Sequence, residues 1–152
     1  MLGSVPRSNE HLLELRREHN VRAVITLNQA WEPQVNGGVA RACAQCEIEH
    51  LGLPTPDFAA PSQRDIRRAV EFMSAQIAAG GAVYVHCNGG KGRTGTLVAC
   101  VLLALRAPGC ESVGGATAVM RRCRSGMLKN PLQQLYVRWL RQAIAPVEGL
   151  KS

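Results

Sequence analysis

The sequence of this protein is poor in aromatic residues and in long apolar runs. Phe, Trp and Tyr together make up 4% of the 152 residues, so a surface on which nucleic-acid bases stack would be hard to build. The longest apolar run, Leu97 to Leu105, is about half the roughly 18 to 20 residues that a membrane-spanning helix needs. We therefore expect neither a base-stacking nucleic-acid module nor an integral membrane protein.

Targeting signals and a disulfide framework are also missing from the pattern. The first residues have neither the apolar stretch of a secretion signal nor the acid-free composition of a transit peptide. Six cysteines are few for a disulfide scaffold, which favours a reducing, intracellular compartment. Cys43 and Cys46 form a C-x-x-C pair, but no further ligands at metal spacing follow, so zinc and redox roles are both disfavoured. Cys100 lies in an apolar run and is expected in the core.

What is present suits one folded domain with an anionic partner. An apolar fraction of 46% and a charged fraction of 19% are typical of a globular chain, and the length predicts a single domain over residues 1–152. The formal net charge of +7 favours nucleic acid, an anionic lipid surface or a phosphorylated molecule as partner. Charge alone leaves these three open.

Apolar periodicity and capping residues predict helices that interleave with strands. The predicted helices are 8–19, 62–79, 94–105, 111–124 and 131–145, and the predicted strands are 21–27, 46–53 and 82–86. Three prolines between positions 54 and 61 predict an extended loop. The alternation indicates an α/β domain, and we expect Trp31 and Trp139 in its core or in a pocket wall.

A glycine-rich loop joins the strand 82–86 to the next predicted helix. Its residues are Cys87, Asn88, Gly89, Gly90, Lys91, Gly92 and Arg93. The glycines let the backbone N–H groups turn inward beside a helix N-terminus, which is a phosphate-binding arrangement. It differs from the nucleoside-triphosphate loop, which would need Gly at position 85 and Ser or Thr at position 92, where Val and Gly stand.

Cys87 is the candidate nucleophile of this loop. The N–H dipoles, the helix N-terminus and Arg93 favour its thiolate form, which would lie beneath a bound phosphate. Arg93 can hold two phosphate oxygens in a bidentate grip, and Thr94 can donate a hydrogen bond to the sulfur when the thiolate leaves. These residue types in this order predict nucleophilic attack on phosphorus.

The segment HCNGGKGRT resembles the H-C-x-x-G-x-x-R-[ST] signature of the cysteine-dependent protein tyrosine and dual-specificity phosphatase superfamily. The segments LGSVPRS, VRAVITLNQAWE, LGLPTPDFAAPS and YVHC resemble, in order and spacing, the mitochondrial tyrosine-phosphatase-like phosphatidylglycerophosphate phosphatases. The resemblance extends over roughly residues 2 to 142. It implies a compact dual-specificity fold, a central mainly parallel sheet flanked by helices, and activity without metal or cofactor. It also implies a mitochondrial or other organellar location.

Phosphatases of this kind need a general acid for the leaving alkoxide, and the chain has two aspartates to offer. Asp65 lies at a predicted helix start, where it would cap. Asp57 lies on the proline-rich loop, where the family has its acid, and is therefore the predicted acid. His86 is expected to orient the loop by a hydrogen bond, while Asn88 and Lys91 would reach the substrate or face water.

The sequence thus predicts a phosphomonoester hydrolase with a Cys87 phosphocysteine intermediate, acting on phosphatidylglycerophosphate or a related lipid phosphate. The enzymatic alternatives are a phosphoprotein phosphatase, a phosphoinositide phosphatase and an RNA 5′-triphosphatase. The alternatives in which the protein is not an enzyme are a catalytically inactive phosphate-binding adaptor and a nucleic-acid binder. We expect no nucleic acid as partner. Two arginine clusters form either solvated helix faces or a landing surface for anionic membrane; they are Arg64, Arg67 and Arg68, and Arg121, Arg122 and Arg124.

Overall fold

The computed structural model of the protein describes residues 1–32 and 38–143, with side chains up to residue 140 in the last helix. The strands are β1 (Leu2–Gly3), β2 (Val21–Thr26), β3 (Glu49–Gly52) and β4 (Ala82–His86). The helices are α1 (Asn9–His19), α2 (Val39–Gln45), α3 (Gln63–Ala78), α4 (Gly92–Ala104), α5 (Val113–Cys123) and α6 (Pro131–Ala143). No helix in these ranges is long and apolar enough to cross a membrane.

The strands form one parallel sheet in the order β1-β4-β2-β3. Thr26 at the end of β2 pairs with His86 at the end of β4, so the two central strands finish side by side. A parallel sheet is buried on both faces, and ligands bind beyond the carboxyl ends of its strands. The predicted α/β class with a mainly parallel sheet is confirmed, and the sheet brings the ends of β2 and β4 to one edge.

Helices cover both faces of the sheet because successive side chains of a strand point to opposite faces. On one face, Ile25 of β2 and Val85 of β4 pack against helices α3 to α6. On the other, Val24 and Tyr84 pack against α1 and α2. The larger of these two apolar clusters lies beneath α4, the helix that follows the glycine-rich loop.

Capping side chains start the predicted helices where the sequence places them. Ser8 accepts a hydrogen bond from the backbone N–H of His11 at 3.3 Å and begins α1. Ser62 accepts from the N–H of Asp65 at 3.1 Å and donates to its carboxylate at 2.7 Å, which begins α3. Both contacts satisfy helix N–H groups that have no partner within the helix. Asp65 is therefore engaged in capping, as predicted.

The prediction was wrong between residues 39 and 48. The predicted strand 46–53 begins only at Glu49, because Cys46 ends the unpredicted helix α2 and Ile48 closes a turn back to the carbonyl of Cys43 at 2.9 Å. Cys46 and Ile48 are buried against α1 and α2, which imitates the alternation of a strand. Helix α2 begins at Gly38 without a side-chain cap, so its start carries no sequence signal.

Smaller differences concern element ends and the tryptophans. Helix α4 starts at Gly92 rather than Thr94, and β1 adds a two-residue strand that was not predicted. Residues 144 and 145 of the last predicted helix lie outside the described residues, so that part of the prediction is untested. Trp31 and Trp139 were expected in the core or in a pocket wall, but they are 77% and 54% exposed. Their size favoured burial in the prediction, yet their neighbours fill the core without them.

The cysteine pair of α2 belongs to the core. Cys43 and Cys46 are free and buried. The pKa of the Cys43 thiol is raised to about 12, mainly because the thiol is buried and to a lesser extent because Cys46 lies beside it. Burial likewise raises the pKa of Cys100 to about 12. Within residues 1–32 and 38–140, no three His, Cys, Asp or Glu side chains come together as a metal site would require. These thiols pack as small apolar groups.

Candidate active site

The glycine-rich loop lies at the carboxyl end of β4, against the first residues of the chain. Gly90 has a φ of +64°, and a Cβ at this position would overlap the carbonyl oxygen of Gly3. The N–H of Val5 also donates to the carbonyl of Asn88 at 3.2 Å. Position 90 therefore requires glycine for its conformation and for the close approach of β1. The unpredicted strand β1 braces this loop from behind.

The first turn of α4 faces the loop with unsatisfied polar groups. The first N–H groups of any helix have no partner within the helix. Lys91, which precedes α4, does not provide a side-chain cap for them. The Thr94 hydroxyl is buried and finds no hydrogen-bond partner among the described residues. A helix N-terminus with unused donors is a ready anion site.

Arg93 is the most heavily bonded residue of the site. Its side chain is 1% exposed, and its Nη1 and Nη2 atoms donate to the two carboxylate oxygens of Glu32 at 2.6 and 2.7 Å. Nη1 also donates to the Thr55 carbonyl at 3.0 Å, and Nη2 lies 3.2 Å from Asp57 Oδ1. Nε has no partner within the described part of the chain. The edge formed by Nε and Nη2 is thus the one left for a phosphate.

Glu32 is the functional residue that the sequence analysis missed. It also accepts the N–H of Gln29 at 2.7 Å, which closes a short turn after β2. The hydrogen bonds from Arg93 hold the pKa of Glu32 below its usual range against the opposing effect of burial. A buried arginine needs a carboxylate partner, and this requirement could have suggested that a glutamate pairs with Arg93. Nothing in the sequence near Trp31 indicates that Glu32 is that glutamate.

Charge and burial oppose each other at the Arg93 guanidinium. Burial alone would lower the pKa of Arg93. The hydrogen bonds to Glu32 and the nearby charges of Cys87 and Asp57 outweigh that effect and raise it. The guanidinium therefore stays positively charged beneath the pocket and is held in one orientation by a bidentate partner.

Asp57 reaches the site from the proline-rich loop between β3 and α3. The loop is anchored by Thr55, whose N–H donates to the Leu27 carbonyl at 3.1 Å. Asp57 itself is 58% exposed and accepts the N–H of Phe58 at 3.0 Å. Its only strong link to the loop of Cys87 among the described residues is the contact with Arg93. The carboxyl group is thus near the pocket yet accessible to water.

His86 lies behind Cys87 in a chain of hydrogen bonds. Its Nδ1 donates to the Cys87 carbonyl at 3.4 Å, and its Nε2 lies 2.8 Å from the Thr26 hydroxyl, which in turn lies 2.9 Å from His50 Nε2. The ring is fully buried, and that burial lowers the pKa of His86 to about 4. It is neutral near pH 7 and contacts the backbone of the loop, an arrangement suited to orientation.

A pocket of about 340 Å³ opens above Cys87 and collects most of the predicted site residues. The predicted residues that line it are Asp57, Cys87, Asn88, Gly89, Lys91, Gly92 and Arg93. Gly90, Thr94 and His86 are buried and do not line it. The remaining lining comes from residues that were not predicted: Phe58, Gly126, Lys129, Asn130 and Gln133.

Gln133 of α6 is the second polar group that the sequence gave no reason to select. Its side chain is buried, and its Nε2 donates to the Ala59 carbonyl at 3.3 Å. Gln133 lines the pocket, and its buried Oε1 has no hydrogen-bond partner in residues 1–32 and 38–140. A Cβ on Gly92 would stand 3.0 Å from this amide, so the side chain lies directly against the start of α4.

Comparison with known proteins identifies the same family as the residues around Cys87 do. A family model described as the Swiss Army Knife protein, DSP-PTPase phosphatase domain (PTP-SAK), matches residues 1–132. The chain belongs to the dual-specificity and protein tyrosine phosphatase family. That superfamily, predicted from the segment HCNGGKGRT, is one of cysteine-dependent phosphatases.

Individual relatives support the closer resemblance as well. Phosphatidylglycerophosphate phosphatase PTPMT2 of Arabidopsis thaliana is 34% identical over 138 residues, which cover 90% of this chain and 57% of that protein. Dual specificity protein phosphatase CDC14B of Mus musculus is 32% identical over 148 residues, which cover 97% of this chain and 27% of that protein. This phosphatase chain therefore spans little more than half of the first relative and about a quarter of the second.

Solved structures of the family superpose over nearly the whole chain. The crystal structure of PTPMT1 has a TM-score of 0.79 at 27% identity and covers 94% of this chain and 89% of that one. PTPMT1 in complex with PI(5)P has a TM-score of 0.80 at 26% identity and covers 94% of this chain and 90% of that one. The dual-specificity phosphatase fold predicted for this chain is thereby confirmed.

Proposed function

We propose that this chain hydrolyses phosphomonoesters through a covalent phosphocysteine on Cys87. The observation that carries the proposal is the meeting of three groups in one pocket at the N-terminus of α4. These groups are a buried cysteine, a guanidinium fixed by Glu32 and an accessible carboxyl, namely Cys87, Arg93 and Asp57. Each matches one requirement of phosphoryl transfer: a nucleophile, a grip on the oxygens and a proton donor.

In the first step the substrate phosphate enters the loop and displaces Asp57 from Arg93. The backbone N–H groups of residues 88–93 and the Nε–Nη2 edge of Arg93 bind its non-bridging oxygens. The thiolate of Cys87 forms a bond to phosphorus as the bond to the leaving oxygen breaks. Asp57 gives its proton to that oxygen, so the leaving group departs as a neutral alcohol.

In the second step water attacks the phosphocysteine. The carboxylate of Asp57 takes a proton from the water, whose oxygen bonds to phosphorus as the bond to sulfur breaks. Thr94 donates its otherwise unused hydroxyl to the departing thiolate, and the Gln133 Oε1 accepts a hydrogen bond from the attacking water. Inorganic phosphate leaves, and Asp57 is again protonated for the next cycle.

A lipid phosphate is the substrate class that the rim of the pocket favours. Phe58 lines the pocket while 77% exposed, and it has a φ of +61°, a conformation that is costly for a bulky residue. Nearby, Leu132, Leu135 and Trp139 follow one another at helical spacing on the exposed side of α6. The Tyr136 hydroxyl donates to the Pro61 carbonyl at 2.8 Å, which ties this side of α6 to the loop of Asp57.

These exposed side chains define a membrane-facing rim, consisting of Phe58, Leu132, Leu135 and Trp139. Arg64 and Arg67, at the start of the neighbouring helix α3, are exposed and can meet anionic headgroups. Of the second arginine cluster, Arg121 and Arg124 donate to backbone carbonyls of residues 127 and 89 and therefore have a structural role. We propose peripheral membrane contact through the rim and the first two turns of α3, with a phosphatidylglycerophosphate-type substrate.

The test compares phosphate release from three substrates at equal concentration. They are phosphatidylglycerophosphate in vesicles, a phosphoinositide panel in the same vesicles and a doubly phosphorylated peptide, with Cys87→Ser as the blank. We expect turnover that Cys87→Ser abolishes and a preference for the glycerolipid. Phosphate release that survives in Cys87→Ser would contradict the mechanism, and a preference for the peptide would contradict the lipid assignment.

The membrane rim is tested separately on the same protein. Replacing Leu135 and Trp139 by glutamine should lower activity on vesicles by about tenfold and leave activity on a water-soluble aryl phosphate unchanged, because each lost apolar side chain weakens insertion. Ile77→Gln is the matched control, since Ile77 is an exposed apolar residue on α3. Equal loss on both substrates would show damage to the fold or the site instead of a lost membrane contact.

A further inference from the structure

Lysine is rare in this chain, and its distribution is uneven. Among its 18 basic residues are 15 arginines and three lysines, at positions 91, 129 and 151. Two of the three, Lys91 and Lys129, line the pocket above Cys87. They are 38 positions apart in the sequence, so the fold brings them to one place.

The two side chains converge on Gly126. A Cβ at that position would stand 3.7 Å from Lys91 Cδ and 3.4 and 3.8 Å from the Cε and Nζ of Lys129. Gly126 has a φ of +78°, which favours glycine and leaves the space between the lysines open. The result is a positively charged notch at the mouth of the pocket, formed by Lys91, Gly126 and Lys129.

This notch is held in a fixed position relative to the phosphate-binding loop. The N–H of Leu128 donates to the Lys91 carbonyl at 3.3 Å, and Leu128 is fully buried. Arg121 donates to the Met127 carbonyl at 3.1 Å, and Arg124 donates to the Gly89 carbonyl at 3.2 Å. The backbone on both sides of Gly126 is thus fastened to α5 and to the loop.

The described part of the chain places no carboxylate against the two lysines of the notch. Among the described residues neither lysine ammonium has a hydrogen bond or an ion pair. Among the described residues that line the pocket, the carboxylate is that of Asp57, and it lies 3.2 Å from Arg93. Two lysine side chains that line one pocket and converge on the same glycine give this part of the pocket a positive potential, which favours an anion there.

We propose that the notch is a second anion subsite, which binds a phosphate group of the substrate other than the one that reacts at Cys87. The substrate class is then a phosphomonoester whose body carries a further phosphate, either a phosphodiester or a second monoester, close to the scissile bond. The inference rests on the proposed phosphatase function and narrows it. Lys129 selects such substrates without contacting the reacting atoms.

The test measures binding, so it does not depend on turnover. The full chain carrying Cys87→Ser is titrated by calorimetry with glycerophosphoglycerol phosphate, which has a phosphodiester and a monoester, and with glycerol 1-phosphate, which has a monoester alone. We expect the first to bind about tenfold more tightly, and Lys129→Gln in the same background to bring the ratio of the two Kd values close to one.

Arg138→Gln is the matched control. It removes one exposed positive charge from α6, the helix that follows Lys129, and Arg138 does not line the pocket. It should leave the ratio unchanged. Equal affinities in Cys87→Ser, or a ratio that survives Lys129→Gln, would overturn the subsite. The failure of the phosphatase proposal is a separate result: the unaltered chain would release phosphate from neither compound, whatever the ratio of Kd values.

Discussion

The two loops that meet above Cys87 are held in different ways. The loop of residues 87–93 is braced by β1, by the first turn of α4 and by His86 behind it, and its arginine is almost completely buried. The loop of Asp57 is anchored through Thr55 and leaves its carboxyl group 58% exposed. The loop proposed to bind phosphate is thus rigid, whereas the proposed proton donor lies where it can exchange protons with water.

This difference predicts that a change in the rigid loop affects every substrate, while a change in the exposed loop affects only those with poor leaving groups. Substitution of Glu32 tests the rigid loop of residues 87–93 most directly, because Glu32 fixes Arg93. Glu32→Gln removes the charge partner of a buried guanidinium, so kcat should fall about 100-fold on alkyl and aryl phosphates alike. The free energy of unfolding should fall by about 3 kcal/mol, measured by urea denaturation.

The matched control for Glu32 is Glu47→Gln. Glu47 pairs with Arg16 at 2.8 Å, but its side chain is 78% exposed, so its loss should change stability by less than about 1 kcal/mol. It should leave kcat unchanged. If the two variants behaved alike, the fixation of Arg93 by Glu32 would have no catalytic importance.

Asp57→Ala tests the exposed part. It should lower kcat about 100-fold on an alkyl phosphate, whose alkoxide leaves slowly without a proton, and less than about tenfold on a nitrophenyl phosphate. The other aspartate provides the control: Asp65→Ala removes the carboxylate that accepts from the Ser62 hydroxyl at 2.7 Å, and it should cost about 1 kcal/mol of stability with no dependence on the leaving group. An equal loss on both substrates would exclude Asp57 as the acid.

Thr94→Val tests the second chemical step. The hydroxyl has no partner in the described residues, so its removal should leave the fold intact and slow the departure of the thiolate about tenfold. Rapid-quench kinetics should then show a burst of alcohol ahead of phosphate. Thr117→Val is the control, because that hydroxyl donates only to the Val113 carbonyl at 2.7 Å on α5. The absence of a burst in Thr94→Val would remove Thr94 from this step.

The last prediction concerns the pH dependence of stability that His86 contributes, with no expected change in the discrimination between substrates. The pKa of His86 is about 4 in the folded chain against 6.5 in the unfolded one, because burial disfavours the charged ring. The unfolded state therefore binds the proton first as pH falls, and stability decreases between pH 6.5 and 4 by up to about 3 kcal/mol. His86→Gln should flatten this part of the stability profile, whereas His19→Gln on the exposed end of α1 should not.

The two loops also differ in how far the sequence revealed them. The loop of residues 87–93 is contiguous, and its glycines, cysteine and arginine carry the chemistry in a single segment. Asp57 was identified from the scarcity of aspartate and from the resemblance to the family. Glu32 comes from the turn after β2, and Lys129 and Gln133 come from the start of α6 and the residues just before it. Only the packing of these two distant segments brings the three residues to the site of Cys87.

The errors in the fold have the same origin. Helix α2 was missed because it is seven residues long and uncapped, and the burial of Cys46 and Ile48 against α1 and α2 imitates the alternation that was interpreted as strand. The exposure of Trp31 and Trp139 follows from tertiary packing, which residue type alone does not determine. The order of the other helices and strands and the position of the loop follow from local patterns, and the resemblance to the family added the mainly parallel sheet.

The covalent intermediate on Cys87 is the central claim, and acid quenching tests it most directly. The chain is mixed with an aryl phosphate, quenched in acid within the first turnovers, digested and analysed by mass spectrometry. The account predicts one added phosphoryl group on the peptide that contains Cys87, at higher occupancy in Thr94→Val and absent in Cys87→Ser. Steady phosphate release with no phosphoryl group on that peptide in either active protein would contradict the account.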